Sequence, residues 1–252
     1  MDIKLILGDC LTELKKISEN SVDLIVTSPP YNKNGFRGKR DTSRGKGRWS
    51  GADIYYDEYM DDMDEKAYKD WQTSVLDECY RVIRPTGSIL YNHKVRRASG
   101  RASHPMEWLL RCKARFYQQI IWDRGSGPDH NIGYLDPTTE LIFWLVKETP
   151  KCHKDKNWAT EVWRIPPIPT DNDHPAPFPK KLCKAAILTT TDEGDTVLDP
   201  FMGSGTAGVV AKELGRNFIG IELNPKYIEI AKDRINKVIG NVFNHSLRGI
   251  LK

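Results

Sequence analysis

Two short stretches of the chain combine residue types that can do chemistry. The first is Ser28-Pro29-Pro30-Tyr31, directly after the apolar run VDLIVT. The Ser28 side chain and the Pro29 carbonyl are hydrogen-bond acceptors, and proline brings no competing N–H. Consecutive prolines stiffen the backbone, and Tyr31 adds an aromatic face. Taken alone, Pro-Pro after an apolar run is as much a strand terminator as a site. The second stretch is VLDPFMGSGTAG followed by NFIGIEL, in which Gly203, Gly205 and Gly208 form GxGxxG and Glu222 closes the next apolar run. Glycines there allow a tight turn and close approach of a ligand to the backbone, and a carboxylate at the second strand's end can grip ribose hydroxyls. A nucleotide-containing cofactor is expected on these grounds, and a dinucleotide dehydrogenase stays in view. Asp199, placed at the strand tip beside the glycine turn, shifts the balance. A carboxylate there would repel a pyrophosphate but suits the ammonium and sulfonium of S-adenosylmethionine.

With those residues together, the chain resembles the β class of S-adenosylmethionine-dependent DNA amino-methyltransferases, the N4-cytosine/N6-adenine family. DPFMGSGT followed by GIELNPKY is similar to that family's cofactor signature, TSPPY is similar to its catalytic motif, and the order of the two is that of the β class. The opening LGDC and the later HPAPFP also match, so the resemblance covers nearly the whole chain. It implies a Rossmann-like methyltransferase fold, S-adenosylmethionine as cofactor and double-stranded DNA as partner. It further implies that Asp199, Phe201, Gly203, Gly205 and Thr206 line the methionine side of the cofactor and that Glu222 binds the ribose. Asp9, with Cys10 beside it, would bond the adenine amine. The stretch His174 to Leu182 would close over the methionine end, where Lys180 or Lys181 could pair the carboxylate. A turn residue at Asp9 and solvated charges at the lysines are the alternatives.

An exocyclic base amine gives its lone pair to the ring and is a poor nucleophile. Two acceptors aimed at its two hydrogens, the Ser28 side chain and the Pro29 carbonyl, would leave nitrogen density pointing at the methyl group. Such preorganised assistance is worth several kcal/mol, to order of magnitude, in a dry pocket. Ser28, Pro29, Pro30 and Tyr31 are therefore the expected catalytic residues, with Tyr31 stacking on a base rotated out of the duplex. In the family resembled, SPPY goes mostly with N4-cytosine enzymes and DPPY mostly with N6-adenine enzymes. Cytosine N4 is the expected target, adenine N6 the alternative, and a binding module with a vestigial cofactor site a more distant one.

The elements that must position these groups are legible as an alternation. Strands are expected at KLILG, VDLIVT, SILYN, FYQQIIW, TELIFWLV, TVLDP and NFIGIEL. Helices are expected at LTELKKI, from about Asp64 to Ile83, at HPMEWLLRCKA, from about Pro179 to Thr189, at TAGVVAKELG and at NPKYIEIAKDRINKVI. Strands alternating with helices imply one doubly wound α/β domain, residues 1–252, with a mainly parallel sheet covered on both faces. A composition of 39% hydrophobic and 29% charged residues excludes a disordered chain. No apolar run reaches the roughly 18 residues of a membrane span. The start MDIKLILGDC does not read as a signal peptide, so a cytoplasmic protein is expected. The 5 cysteines form no CxxC pair, which points to reduced structural thiols and no metal site.

The net charge of +4 is too small to demand a nucleic acid, but its distribution is local. Residues 32–58 read as a mobile loop in which Arg37, Lys39, Arg40, Arg44, Lys46 and Arg48 are expected to hold phosphates. Phe36 or Trp49 could fill the gap left by a flipped base. A second basic stretch, Lys94, Arg96, Arg97 and Arg101, is expected to continue the groove. Residues 148–173, an irregular stretch with Lys151, His153, Lys154, Lys156, Trp158, Trp163 and Arg164, are the expected short inserted target-recognition region. Trp158 and Trp163 could equally be core anchors. A restriction endonuclease, a second copy of the chain and RNA as substrate remain open as partners.

Overall fold

The computed structural model describes residues 1–32, 63–98, 100–125, 135–154, 158–167 and 178–238. Ten strands and six helices lie in these segments. The strands are β1 (Ile3–Leu7), β2 (Val22–Thr27), β3 (Ile83–His93), β4 (Arg96–Ala98), β5 (Arg101–Ser103), β6 (Arg115–Asp123), β7 (Thr139–Val146), β8 (Val162–Arg164), β9 (Thr196–Asp199) and β10 (Asn217–Glu222). The helices are α1 (Cys10–Leu14), α2 (Glu65–Val82), α3 (Met106–Leu109), α4 (Lys180–Thr190), α5 (Thr206–Glu213) and α6 (Pro225–Asn236).

Eight strands form one sheet in the order β1-β10-β9-β2-β3-β7-β6-β8, and β4 and β5 pair as a separate antiparallel ribbon. Within the large sheet only β7 runs against its neighbours, β3 and β6; the other pairings are parallel. The doubly wound α/β arrangement with a mainly parallel sheet is thus present. β2 sits near the middle and is buried along its whole length, as a strand covered on both faces must be. Its alternate residues feed two cores. Leu24 and Val26 join Val197, Leu182, Ala186, Ala207, Val210 and Ala231 beneath α4, α5 and α6. Ile25 joins Leu14, Leu76, Cys79, Leu198 and Trp108 beneath α1, α2 and α3.

Local chemistry explains where the main elements start. The Asp64 carboxylate accepts from the backbone N–H of Lys66 and Ala67, capping α2. Tyr68, Gln72, Val75, Leu76, Cys79 and Val82 then form its buried stripe. Asn224 caps α6, and Pro225 follows at the first turn, where a missing N–H costs nothing.

Three expectations are corrected. The strand expected at SILYN starts earlier, at Ile83, and Arg84-Pro85-Thr86-Gly87 (RPTG), a Pro/Gly turn signal in the sequence, forms a bulge inside β3, whose pairing with β2 jumps from Val22↔Ile83 to Leu24↔Ser88. HPMEWLLRCKA is helical only over Met106–Leu109, because Lys113 N–H turns to the Asp77 carboxylate and Cys112 Sγ to the Leu109 carbonyl. Part of the stretch expected to be irregular belongs to the sheet, since β8 pairs with Ile121–Asp123 and Trp163 is buried. No described helix is long and apolar enough to cross a membrane.

Candidate active site at the switch between two strands

β9 and β2 are parallel neighbours, but the chain leaves them in opposite directions. After β9 it passes to β10; after β2 it passes to β3. Such a switch opens a crevice at the carboxyl ends of the strands, the usual place for a ligand in this kind of sheet. Asp199 ends β9, and Ser28 directly follows β2. The two tips are tied together: Thr27 Oγ1 donates to Asp199 Oδ1 at 2.7 Å, with both residues buried. The same carboxylate oxygen accepts the Phe201 N–H at 3.1 Å.

Burial pushes the Asp199 carboxyl up to about 7, Thr27 and the Phe201 N–H oppose the rise, and the Glu222 charge adds to it. Glu222, at the tip of β10, is also raised, first by burial, against the backbone N–H groups of Asn224 and Gly203. Gly203 donates to its Oε2 at 2.8 Å and Asn224 to its Oε1 at 2.9 Å. Neither acid forms an ion pair with a described residue. Two part-desolvated carboxylates on adjacent strand tips fit a ligand that is cationic at one end and carries ribose hydroxyls at the other.

The glycines divide their work. Gly203 and Gly205 have positive φ, 52° and 78°, a backbone that suits glycine. A Cβ on Gly205 would lie 2.7 Å from Ala231 Cβ, and one on Gly208 would lie 2.6 Å from Ile235 Cδ1. Both positions let α5 lie close against α6. The Thr206 hydroxyl is likewise turned to α6, where Arg234 donates to it at 3.3 Å and to the Ser204 carbonyl at 2.5 Å. The Thr206 hydroxyl is thus engaged as an acceptor from the α6 side. Phe201 is half-buried with its ring edge-on to Trp71, centroids 5.6 Å apart.

Asp9 is exposed and caps α1, its Oδ1 accepting from Thr12 N and Oγ1 at 2.9 Å each. Gly8 N–H bonds the Glu222 carbonyl at 2.9 Å, so this turn lies beside the β10 tip. Cys10 points into the core, and burial pushes its thiol up to about 12. Its side chain packs in the core. Lys181 is exposed in the first turn of α4, while its neighbour Lys180 pairs with Glu213 at 2.8 Å. His174 lies outside the described residues.

On the β2 side, Ser28-Pro29-Pro30-Tyr31 rests on a buried polar network. Ser28 Oγ lies 3.0 Å from Tyr31 Oη. Tyr31 Oη donates toward Asn92 Oδ1 at 2.9 Å and Glu140 Oε2 at 3.3 Å. The Tyr31 ring lies 4.3 Å from the His93 ring, so one neighbour already packs on it. The Pro30 carbonyl is 2.8 Å from Tyr68 Oη, which also meets His93 Nε2 at 2.9 Å and Gln72 Nε2 at 2.8 Å. Burial lowers His93 to about 3, so the ring is neutral near pH 7. Its Nδ1 faces the Lys94 carbonyl at 2.8 Å and must carry the proton. Nε2 is then an acceptor, and it shares the single Tyr68 hydroxyl hydrogen with the Pro30 carbonyl. Among the described residues no donor meets the Pro29 carbonyl.

Arg96 does not join a DNA-facing surface. It is buried, with Nη1 and Nη2 on the two oxygens of Glu65 at 2.5 and 2.9 Å and its guanidinium 4.8 Å from the Tyr68 ring centroid. Strand alternation turns Arg96 inward and Arg97 outward, and Arg97 is exposed. Arg101 is also exposed. Arg37, Lys39, Arg40, Arg44, Lys46 and Arg48 lie outside the described residues, as do Phe36, Trp49 and Lys156. Within 148–173, Trp163 is a core residue with Trp158 edge-on to it. Lys151 pairs with Asp192 and Asp195, His153 with Asp192, and Arg164 with Asp123; Lys154 is exposed.

Sequence reasoning missed Thr27, Tyr68, Asn92, His93 and Glu140. A faint signal existed for three of them. Tyr68 is a polar-tipped residue at a core position of α2, and Asn92-His93 end an apolar strand with polar side chains.

A parallel sheet with carboxylates on the two strand tips beside a glycine turn, facing a Ser-Pro-Pro loop across the switch, defines a Rossmann-like methyltransferase. Residues 22–233 match the DNA methylase family of N6 and N4 enzymes. The type II methyltransferase M.HpaI of Haemophilus parainfluenzae is 30% identical over 259 residues, covering 94% of this chain and 75% of that protein. PvuII DNA methyltransferase, described as cytosine-N4-specific, superposes with a TM-score of 0.75 at 22% identity, covering 99% of this chain and 91% of that one. TTHA0409 of Thermus thermophilus, solved with S-adenosyl-L-methionine, superposes with a TM-score of 0.64 at 25% identity, covering 93% of each chain. The chain belongs to the DNA methylase family, S-adenosylmethionine-dependent enzymes that methylate cytosine N4 or adenine N6 in DNA.

Proposed function

We propose that the enzyme methylates the N4 amine of cytosine at specific sites in duplex DNA, with the target base rotated out of the stack. The observation that carries this reading is a pair of acceptors, Ser28 Oγ and the Pro29 carbonyl, on the loop bonded through Thr27 to Asp199. S-adenosylmethionine, when bound, supplies a methyl group on a sulfonium that leaves readily. The chain's residues do the rest. Asp199 holds the cationic end and Glu222 the ribose, with the backbone of Phe201, Gly203 and Gly205 passing close by; Asp9 takes the adenine amine, and Lys181 the carboxylate. Ser28 and Pro29 each accept one hydrogen of the amine, so its lone pair faces the methyl group, and the methylated amine would then release its surplus proton to solvent. The prolines hold the loop stiff, and the Tyr68 and Gln72 contacts occupy the Pro30 carbonyl, leaving that of Pro29 for substrate.

Ser28 supports cytosine because, in the family, SPPY goes mostly with N4-cytosine enzymes and DPPY mostly with N6-adenine enzymes. Arg37, Lys39, Arg40, Arg44, Lys46 and Arg48, together with Arg97, supply the positive charge for the phosphate backbone, and residues of the 148–173 stretch contribute to target recognition. The test is methylation of unmethylated double-stranded DNA of varied sequence, followed by mass spectrometry of the digested nucleosides. N4-methylcytosine is the expected product. N6-methyladenine would overturn the base assignment, and no methylated nucleoside despite cofactor binding would overturn the reading of duplex DNA as substrate.

A further inference from the structure

We propose that Tyr31, Asn92 and Glu140 form a one-way hydrogen-bond chain that orients the Ser28 hydroxyl, which makes Tyr31 and Glu140 positioning residues for methyl transfer. The inference rests on the reading of Ser28 as an acceptor for the base amine, and it explains how a serine can act as one.

A serine hydroxyl is both donor and acceptor, and its hydrogen can rotate. If that hydrogen points into the crevice, it opposes the incoming N–H. The contacts around Tyr31 remove the choice. Asn92 Nδ2 donates to the Leu141 carbonyl at 3.1 Å, so its Oδ1 is the atom facing Tyr31. Glu140 Oε1 is held by Arg124 Nη1 at 3.1 Å, and Oε2 faces Tyr31 at 3.3 Å. Both neighbours of the phenol are therefore acceptors. Tyr31 has one hydrogen, and it is spent on that side whichever oxygen it favours. Burial, with the Glu140 charge next, holds the phenol well above its ordinary range, so the hydrogen stays in place. The Tyr31 oxygen can then only accept from Ser28, 3.0 Å away. With its hydrogen drawn inward, Ser28 presents lone pairs to the crevice. No proton needs to travel along the chain; its work is orientation, fixed before the substrate arrives.

The consequence is that the Tyr31 hydroxyl acts through Ser28 and nowhere else. Single-turnover methyl transfer from labelled S-adenosylmethionine to unmethylated duplex DNA is compared for the wild type, Ser28→Ala, Tyr31→Phe and the double variant, with cofactor affinity measured by calorimetry. Tyr31→Phe frees the Ser28 hydrogen and is expected to slow transfer roughly tenfold, one neutral hydrogen bond's worth, with cofactor affinity unchanged. In the Ser28→Ala background the same change is expected to have no further effect. Ser28→Ala slow with Tyr31→Phe at full rate, or equal losses in both backgrounds, overturns the chain while leaving Ser28 catalytic. Ser28→Ala at full rate overturns the reading of Ser28 itself, and the chain with it. Where Ser28→Ala leaves too little rate to compare, Glu140→Gln combined with Asn92→Ala decides. With the Gln oxygen kept on Arg124 and the Asn92 acceptor gone, the new amide donates to Tyr31, whose own hydrogen is left only Ser28; a loss similar to that of Tyr31→Phe is expected, and an unchanged rate overturns the inference.

Discussion

Asp199→Asn is expected to stabilise the cofactor-free protein while weakening cofactor binding, opposite effects from one atom. The Asp199 carboxyl is raised from 3.8 to about 7, chiefly by burial. At about 1.4 kcal/mol for each factor of ten, keeping it ionised above pH 7 costs the folded state about 4 kcal/mol. Asparagine keeps an oxygen for the Thr27 hydroxyl and the Phe201 N–H, so little is lost in exchange. The sign follows from proton counts. Between pH 3.8 and about 7 the native state holds a proton that the unfolded chain has released, so wild-type stability falls as pH rises through that window. The asparagine variant lacks this dependence. Its advantage is near zero at pH 4, grows to about pH 7 and is flat above. At pH 8 a gain of roughly 2–4 kcal/mol corresponds to a thermal midpoint higher by roughly 5–10 °C for a chain of this size. In the proposed site the same carboxylate faces the cofactor's cation. Cofactor affinity is then expected to drop roughly 10- to 100-fold in the variant. In the wild type it weakens by up to about tenfold per pH unit below pH 7. Thermal unfolding and calorimetric titration at pH 4, 6 and 8 measure both. A variant destabilised equally at all pH values, or one binding the cofactor as tightly as wild type, would refute the reasoning.

The remaining predictions concern residues whose roles tertiary structure reassigned or refined. Arg96→Ala breaks a buried ion pair with Glu65 and is expected to lower stability by about 3–5 kcal/mol; the salt dependence of DNA binding, measured by fluorescence anisotropy, should keep its slope because no phosphate contact is lost. Gly208→Ala forces a Cβ to within 2.6 Å of Ile235 and 2.7 Å of Phe218. A loss of about 1–3 kcal/mol in denaturant unfolding is expected from overpacking between α5, α6 and β10.

How much of this was legible beforehand depends on how local the physics is. The TVLDP–glycine–helix–NFIGIEL unit reads directly from the chain, since the strand, the turn needing positive φ at Gly203 and Gly205, and the Asn224 cap are set by neighbours a few residues away. So does α2, whose apolar stripe and Asp64 cap are periodic and adjacent. The two motifs and their order were enough to anticipate the cofactor and the family. The bulge inside β3 was not legible, because RPTG is a sound turn signal and only pairing with β2 turns it into an interruption of a strand. The fate of single charges was hidden too. Arg96 and Arg97 look alike in sequence; strand alternation and the waiting Glu65 decide that one is buried and the other exposed.

The residues determined which chemical groups the protein owns and where each strand must end, because propensities, caps and glycine turns act over a few positions. Tertiary structure alone decided which of those ends meet. Thr27 and Asp199 are 172 positions apart, and Tyr31 and Glu140 are 109 apart. Their contacts exist because β2 lies beside β9, and because β7 turns back against β3 to bring Glu140 to Tyr31. Hydrogen bonds reach about 3 Å and choose partners by geometry, so a donor and an acceptor this far apart in the chain acquire a direction, and Ser28 its orientation, only once the sheet has formed.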